Sequence, residues 1–223
     1  LKGSPAIEFI ESTLSYFPRL LAAAPIVIQL ALGAMALALV LGLLVALARI
    51  SKSRFLRGIA LVYVEVMRGT PLLVQLVYIF FVLPAIGVNI DPVPAGILGL
   101  GLNYAAYLSE VFRSAILSVE AGQTEAALSL GYTPGKALWK IVLPQSFIVS
   151  LGPIGNYFIA MVKDTALTSV IAVTEILKTA NVINAQTFET TQVYTAAALL
   201  YLLISLPLSR IVSALEKRAR VHV

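Results

Sequence analysis

The chain has no cysteine and a single histidine, His222, beside its C-terminus. That excludes disulfides, thiolate metal sites and cysteine nucleophiles, and it leaves no histidine cluster for a metal and no histidine base inside a catalytic triad. Charge is scarce too: 12% of the 223 residues are Asp, Glu, Lys or Arg, against about a quarter in an average soluble domain. So little polar surface does not cover a globule of this size in water. The net charge of +5 does not indicate nucleic acid, because the basic residues alternate with apolar runs and form no solvated patch. A G-x-x-x-x-G-K-[ST] pattern is also missing, so the chain is not itself an ATP-hydrolysing P-loop subunit. What is abundant is apolar side chain, 59% of the total, and the solvent that suits it is lipid.

Charge-free length sets the expected spans, since about 20 helical residues cross a hydrocarbon core of about 30 Å. No charged residue lies between Arg19 and Arg49, which predicts a span over about 20–48, too late and too long for a cleavable signal peptide. Further spans are expected at about 58–83, 93–112, 145–174 and 192–212. The second is interrupted by Glu65, Arg68 and Pro71, and Lys163 and Asp164 leave the end of the fourth between about 163 and about 174. The predicted fold class is an all-α integral membrane protein, one domain over 1–223 with five transmembrane helices.

Lys and Arg near the span ends set the orientation. Arg49, Lys52, Arg54 and Arg57 follow the first span, Arg113, Lys136 and Lys140 the third, and Arg210, Lys217, Arg218 and Arg220 the fifth. The opposite side carries Lys2, Arg19 and Lys178 together with the acids Glu8, Glu11, Asp91 and Glu189. The N-terminus is therefore expected outside and the C-terminus in the cytoplasm, which makes about 115–144 the longest cytoplasmic loop.

Within that loop, "SVEAGQTEAALSLG" is rich in good helix formers and ends at Gly131, suited to a left-handed C-terminal residue. "YTPGKALWKIVLPQ" restarts a helix, with Thr133 as N-cap and Pro134 at the first helical position. Taken alone, the loop also fits an amphipathic helix that only skirts the bilayer. Its spacing says more. Glu125, Ala126, Ala127, then Gly131, then Ile141, Leu143 and Pro144 resemble, position for position, the EAA loop of bacterial ABC importer permeases. "EVMRGTPLLVQL" (residues 65–76) and "VKDTALTSVIAVTEI" (residues 162–176) resemble the second- and fourth-span regions of the polar amino-acid branch, the histidine, glutamine, arginine and glutamate permeases.

The resemblance implies a transmembrane subunit that forms the pathway of an ATP-driven importer in the bacterial inner membrane. Glu125, Ala126, Ala127 and Gly131 would form the coupling helix that docks on a cytoplasmic ABC ATPase dimer, which binds ATP and magnesium; no cofactor is expected in this chain. A second permease chain, identical or related, and an extracytoplasmic substrate-binding protein complete the implied complex.

The residues themselves point to a polar cavity at membrane depth. If the second span enters near Gly58, Arg68 lies about 15 Å in, at the midplane. A charge there is costly unless it faces a cavity or a partner. Pro71 lacks an N–H and so leaves the carbonyl of Met67 without its helical donor, and such freed groups are tolerated where they line a cavity. Gly69 and Thr70 bring backbone and a hydroxyl to the same place. The plain alternative is an ion pair of Arg68 with Glu65, three residues earlier on the same face. Lys163 and Asp164 diverge by about 100° on a helix and are poor partners for each other; they either join the cavity or cap the span at the outer surface. Asn103 is the remaining midplane polar group, serving the cavity or a helix–helix hydrogen bond. An amino-acid zwitterion needs a cation for its carboxylate and an anion for its ammonium. Arg68 or Lys163 supplies the first, and Asp164 or Glu65 the second.

Other classes fit less well. A secondary transporter or a channel subunit for small polar solutes is the main alternative, but no internal repeat or obvious filter is visible. A membrane enzyme lacks the nucleophile and base.

Overall fold

The computed structural model describes residues 5–220, and among them every regular element is helical. Lys2 and His222 fall outside the described residues, as does the side chain of Arg220. The order is α1 (Pro5–Ser15), α2 (Phe17–Leu21), α3 (Ala24–Ile50), α4 (Arg54–Gly69), α5 (Leu72–Val77), α6 (Pro92–Ser118), α7 (Ala121–Ser129), α8 (Pro134–Ala137), α9 (Leu143–Asp164), α10 (Ile176–Thr187) and α11 (Thr190–Arg220). Tighter or wider turns extend α5 to Ile86, join α8 to α9, and carry α9 on through Thr165–Ile171.

Three helical stretches are long and apolar enough to cross a bilayer: Ala24–Ile50, Pro134–Ile171 and Thr190–Arg218. A fourth is counted if α4 and the α5 segment form one broken span. The interruption expected in the second apolar stretch is a sharp one, because the axis bends by 104° between Gly69 and Leu72. The cause is Pro71, which removes a helical donor, while Thr70 and Pro71 are both extended. The fourth span ends as α-helix at Asp164 and continues as a buried 3-10 stretch that includes Thr165, Thr168 and Ile171.

α3 is apolar on every side, so hydrophobic periodicity does not say which face it buries. Side-chain size does. Ala34, Ala38, Gly42 and Ala46 recur every fourth residue, and all are buried. A Cβ added at Gly42 would come to 3.1 Å of the Ala105 carbonyl oxygen on α6. Small residues at this spacing let two helix backbones approach closely in lipid, where dispersion and shape replace the hydrophobic drive. α6 has the length of a span, 27 residues, but not the apolar composition, and it is enclosed instead by α3, α4, α5 and α9. A helix sheltered by protein can carry Asn103, Tyr104 and Ser109 without exposing them to lipid.

The C-terminal parts of α3 and α6 meet through Glu110, which pairs with both Arg49 and Arg113. At the other end, Glu189, between α10 and α11, accepts hydrogen bonds from Ser12 and from the Tyr16 hydroxyl, the latter at 3.0 Å. The loop helices form as their residues predict. Gly131 is left-handed at φ +84°, with the Tyr132 N–H returning to the Ala127 carbonyl at 3.1 Å. Thr133 caps α8 by accepting from the Lys136 N–H at 3.4 Å.

Candidate functional site

The break between α4 and α5 is held by a small polar network. The Met67 carbonyl, orphaned by Pro71, accepts from Gln75 Nε2 at 2.9 Å and from Asn103 Nδ2 at 3.0 Å. Asn103 Nδ2 also donates to Gln75 Oε1 at 3.1 Å, and Gln75 Nε2 to the Thr70 hydroxyl at 2.7 Å. Asn103 therefore makes the helix–helix hydrogen bond, and it does so at the edge of a cavity. Gln75 had no visible role in the sequence; its signal was its position four residues after Pro71, where it replaces the donor that proline removes.

Beside this network lies a cavity of about 450 Å³. Arg68, Gly69, Thr70 and Pro71 line one side of it, Asn103, Tyr104 and Tyr107 from α6 a second, and Tyr157 and Asp164 from α9 a third. Five of the seven residues picked from sequence for the site converge here: Arg68, Gly69, Thr70, Asn103 and Asp164. Glu65 and Lys163 do not. Both are exposed and line neither this cavity nor its neighbour. The alternative pairing of Arg68 with Glu65 is absent from the described ion pairs, which join Arg49 and Arg113 to Glu110.

Arg68 instead sits over the ring of Tyr107, its guanidinium carbon 5.3 Å from the centroid. A cation over an aromatic face is stabilised by the ring quadrupole, the more so away from water. Asp164 accepts from the hydroxyl of the buried Tyr104 at 2.7 Å, which orients one carboxylate oxygen and leaves the other directed elsewhere. Tyr104, Tyr107 and Tyr157 form a triangle of rings with centroids 5.7 to 6.3 Å apart. Sequence reading missed all three. The available clue was spacing: Tyr104 and Tyr107 follow Asn103 by one and four residues on the same helix. Tyr157 lies seven residues before Asp164, two turns up the same face.

A second cavity of about 410 Å³ continues toward the C-terminal part of α6 and the first half of α9, past Glu110, Ser114, Ser118 and Ser150. The two cavities share Arg68, Tyr107 and Tyr157. These three side chains form the partition between them.

Comparison with known proteins places this architecture. Residues 38–221 match the family described as binding-protein-dependent transport system inner membrane component. The chain is 44% identical over 186 residues to the L-cystine transport system permease protein TcyB of Bacillus subtilis (strain 168), covering 83% of this chain and 80% of the relative. It is 36% identical over 206 residues to the glutamine transport system permease protein GlnP of Escherichia coli (strain K12), covering 92% and 94%. Among solved structures, an amino acid ABC transporter with histidines has a chain that superposes with a TM-score of 0.85 at 35% identity, over 93% of this chain and 97% of that one. A MetNI methionine ABC transporter chain shares the fold at a TM-score of 0.70 and 20% identity. With so much of its length matched and its helices laid out in the same way, the chain belongs to the family of binding-protein-dependent transport system inner membrane components.

Proposed function

We propose that this chain is the transmembrane subunit of an ATP-driven importer of polar amino acids, and that Arg68 and Asp164 hold the two charges of the substrate. The observation that carries the reading is their convergence. Residues from three separate helices, two of them oppositely charged, line one cavity at a helix break. Relatives named as cystine and glutamine permeases point to the same substrate class.

In this reading Arg68 takes the carboxylate, aided by backbone at Gly69 and the Thr70 hydroxyl, and Asp164 takes the ammonium. Asn103 holds the wall in shape. Lys163 and Glu65 have no part in binding. The Arg68–Tyr107–Tyr157 partition separates an outer cavity from an inner one, and alternating access consists of opening the two in turn. Chemistry is left to a cytoplasmic ATPase pair that binds ATP and magnesium, and delivery to an extracytoplasmic binding protein. A second permease chain completes the pathway.

The membrane topology we propose has five crossings in the inner membrane: α3, the broken α4–α5 segment, the enclosed α6, α9 and α11. The N-terminus is outside. Two contacts support it, each joining segments assigned to one side: Arg49 and Arg113 through Glu110, and Ser12 and Tyr16 through Glu189. In this cysteine-free chain, Leu14→Cys at the exposed face of α1 is expected to react with an impermeant thiol reagent in intact cells. Labelling that requires permeabilised cells refutes the orientation.

α7 is the proposed coupling helix. Exposed Ala126 allows close approach, buried Ala127 seats α7 on its own chain, Glu125 meets a basic rim on the ATPase, and left-handed Gly131 returns the chain. No Cβ clash stands at Gly131, but its φ of +84° strains any side chain. Glu125→Arg is therefore the cleaner variant: the exposed site tolerates arginine, so insertion and expression stay normal while substrate-stimulated ATP hydrolysis by the reconstituted complex falls at least about tenfold. Full stimulation in Glu125→Arg removes the coupling assignment.

A further inference from the structure

Two formal charges line the outer cavity, Arg68 and Asp164. The zwitterion reading above consumes both, one for each α-group of the substrate. No third charge is at hand. Glu65 and Lys163 lie outside both cavities. In the inner cavity, both oxygens of Glu110 are engaged, one by Arg49 and one by Arg113, and neither arginine lines either of these two cavities. The rest of the outer wall is uncharged, and its largest part is the tyrosine triangle.

The tyrosine hydroxyls are not equivalent. Tyr104 spends its proton on Asp164. The hydroxyls of Tyr107 and Tyr157 make no hydrogen bond to any described residue, although both rings face the cavities. They are neutral donor–acceptor groups beside a zwitterion site. Resting on that site, we propose that the cavity selects amino acids with an uncharged, hydrogen-bonding side chain, read by the hydroxyls of Tyr107 and Tyr157, with Tyr104 as the positioning residue for Asp164. An acidic side chain would lie against the electron-rich faces of the rings with no second cation. A basic side chain would find no second carboxylate. It would also compete with Arg68, whose guanidinium already occupies the Tyr107 face, with the Tyr157 ring centroid 5.7 Å from that of Tyr107. An amide or hydroxyl side chain meets neither penalty.

The test uses the permease–ATPase complex in nanodiscs without any binding protein, so that delivery does not filter the substrate. Radiolabelled glutamine is the probe, displaced by glutamine, methionine, glutamate and lysine. Glutamate and lysine are expected to compete at least about tenfold more weakly than glutamine. Tyr107→Phe with Tyr157→Phe keeps both rings and removes both hydroxyls; it is expected to weaken glutamine several-fold while leaving methionine unchanged. A merely structural role for the tyrosines would weaken both ligands together, and that result overturns the proposal. So does equal competition by glutamate or lysine. Asp164→Asn separates the two layers of the argument. If it binds glutamine normally, the zwitterion site and the side-chain class both fall; if it is defective while lysine or glutamate competes fully, the site stands and the class falls.

Discussion

Asp164→Asn is expected to abolish amino-acid transport while the permease still inserts and assembles with the ATPase proposed as its partner. The substitution keeps the shape of the side chain and an acceptor for the Tyr104 hydroxyl, now 2.7 Å from the carboxylate, and deletes only the charge. Loss of one partner from a desolvated charge contact costs about 2–5 kcal/mol, which is well over tenfold in affinity. Uptake of labelled substrate by proteoliposomes reads the effect. Lys163→Met, one residue earlier but exposed and outside the cavity, is expected to transport normally. Normal uptake in Asp164→Asn would return that residue to the role of a span-end cap.

The largest effect on stability is expected at Glu175, which is 0% exposed. Its carboxylate caps α10, accepting from the Leu177 N–H at 2.7 Å and the Lys178 N–H at 2.6 Å, and it also accepts from the Tyr201 hydroxyl on α11 at 2.7 Å. One side chain thus starts α10 and pins α11. Glu175→Ala leaves two helix-start N–H groups and the Tyr201 hydroxyl without the acceptor they share, a loss of about 3 kcal/mol or more. Glu175→Gln keeps an acceptor oxygen for most of these donors and loses much less. Thermal unfolding of the purified permease orders the three proteins as wild type, Gln, then Ala. An alanine variant as stable as wild type would show that the cap is dispensable.

Much of the candidate site was legible because lipid makes polarity expensive. Arg68 and Asp164 stood out as charges at membrane depth, and Pro71 marked a carbonyl in need of a donor before any donor was known. The structure supplies two donors there, Gln75 and Asn103. The same logic gave Glu65 and Lys163 equal standing with Arg68 and Asp164, and it had no means of separating them. Neighbours along a helix differ by a rotation of about 100°, and whether that rotation points at a cavity or at the outside depends on which helices pack against it. For the tyrosines the difficulty was different: an aromatic residue in an apolar span is ordinary core, and only the approach of three rings from two helices makes a wall of it.

Composition and charge-free length by themselves determined that this chain lives in a membrane and is helical throughout. The spacing of Glu125, Ala126, Ala127 and Gly131 determined its kinship. These are local or one-dimensional properties, set by transfer energies, backbone rules and fixed intervals along the chain. Tertiary structure alone decided three other matters: that the second apolar stretch bends by 104° rather than running straight, that α6 is sheltered by its neighbours, and that Arg68 rests on Tyr107 rather than on Glu65. Each depends on contacts between residues far apart in sequence, where side-chain size and the direction of a helix face determine which groups meet.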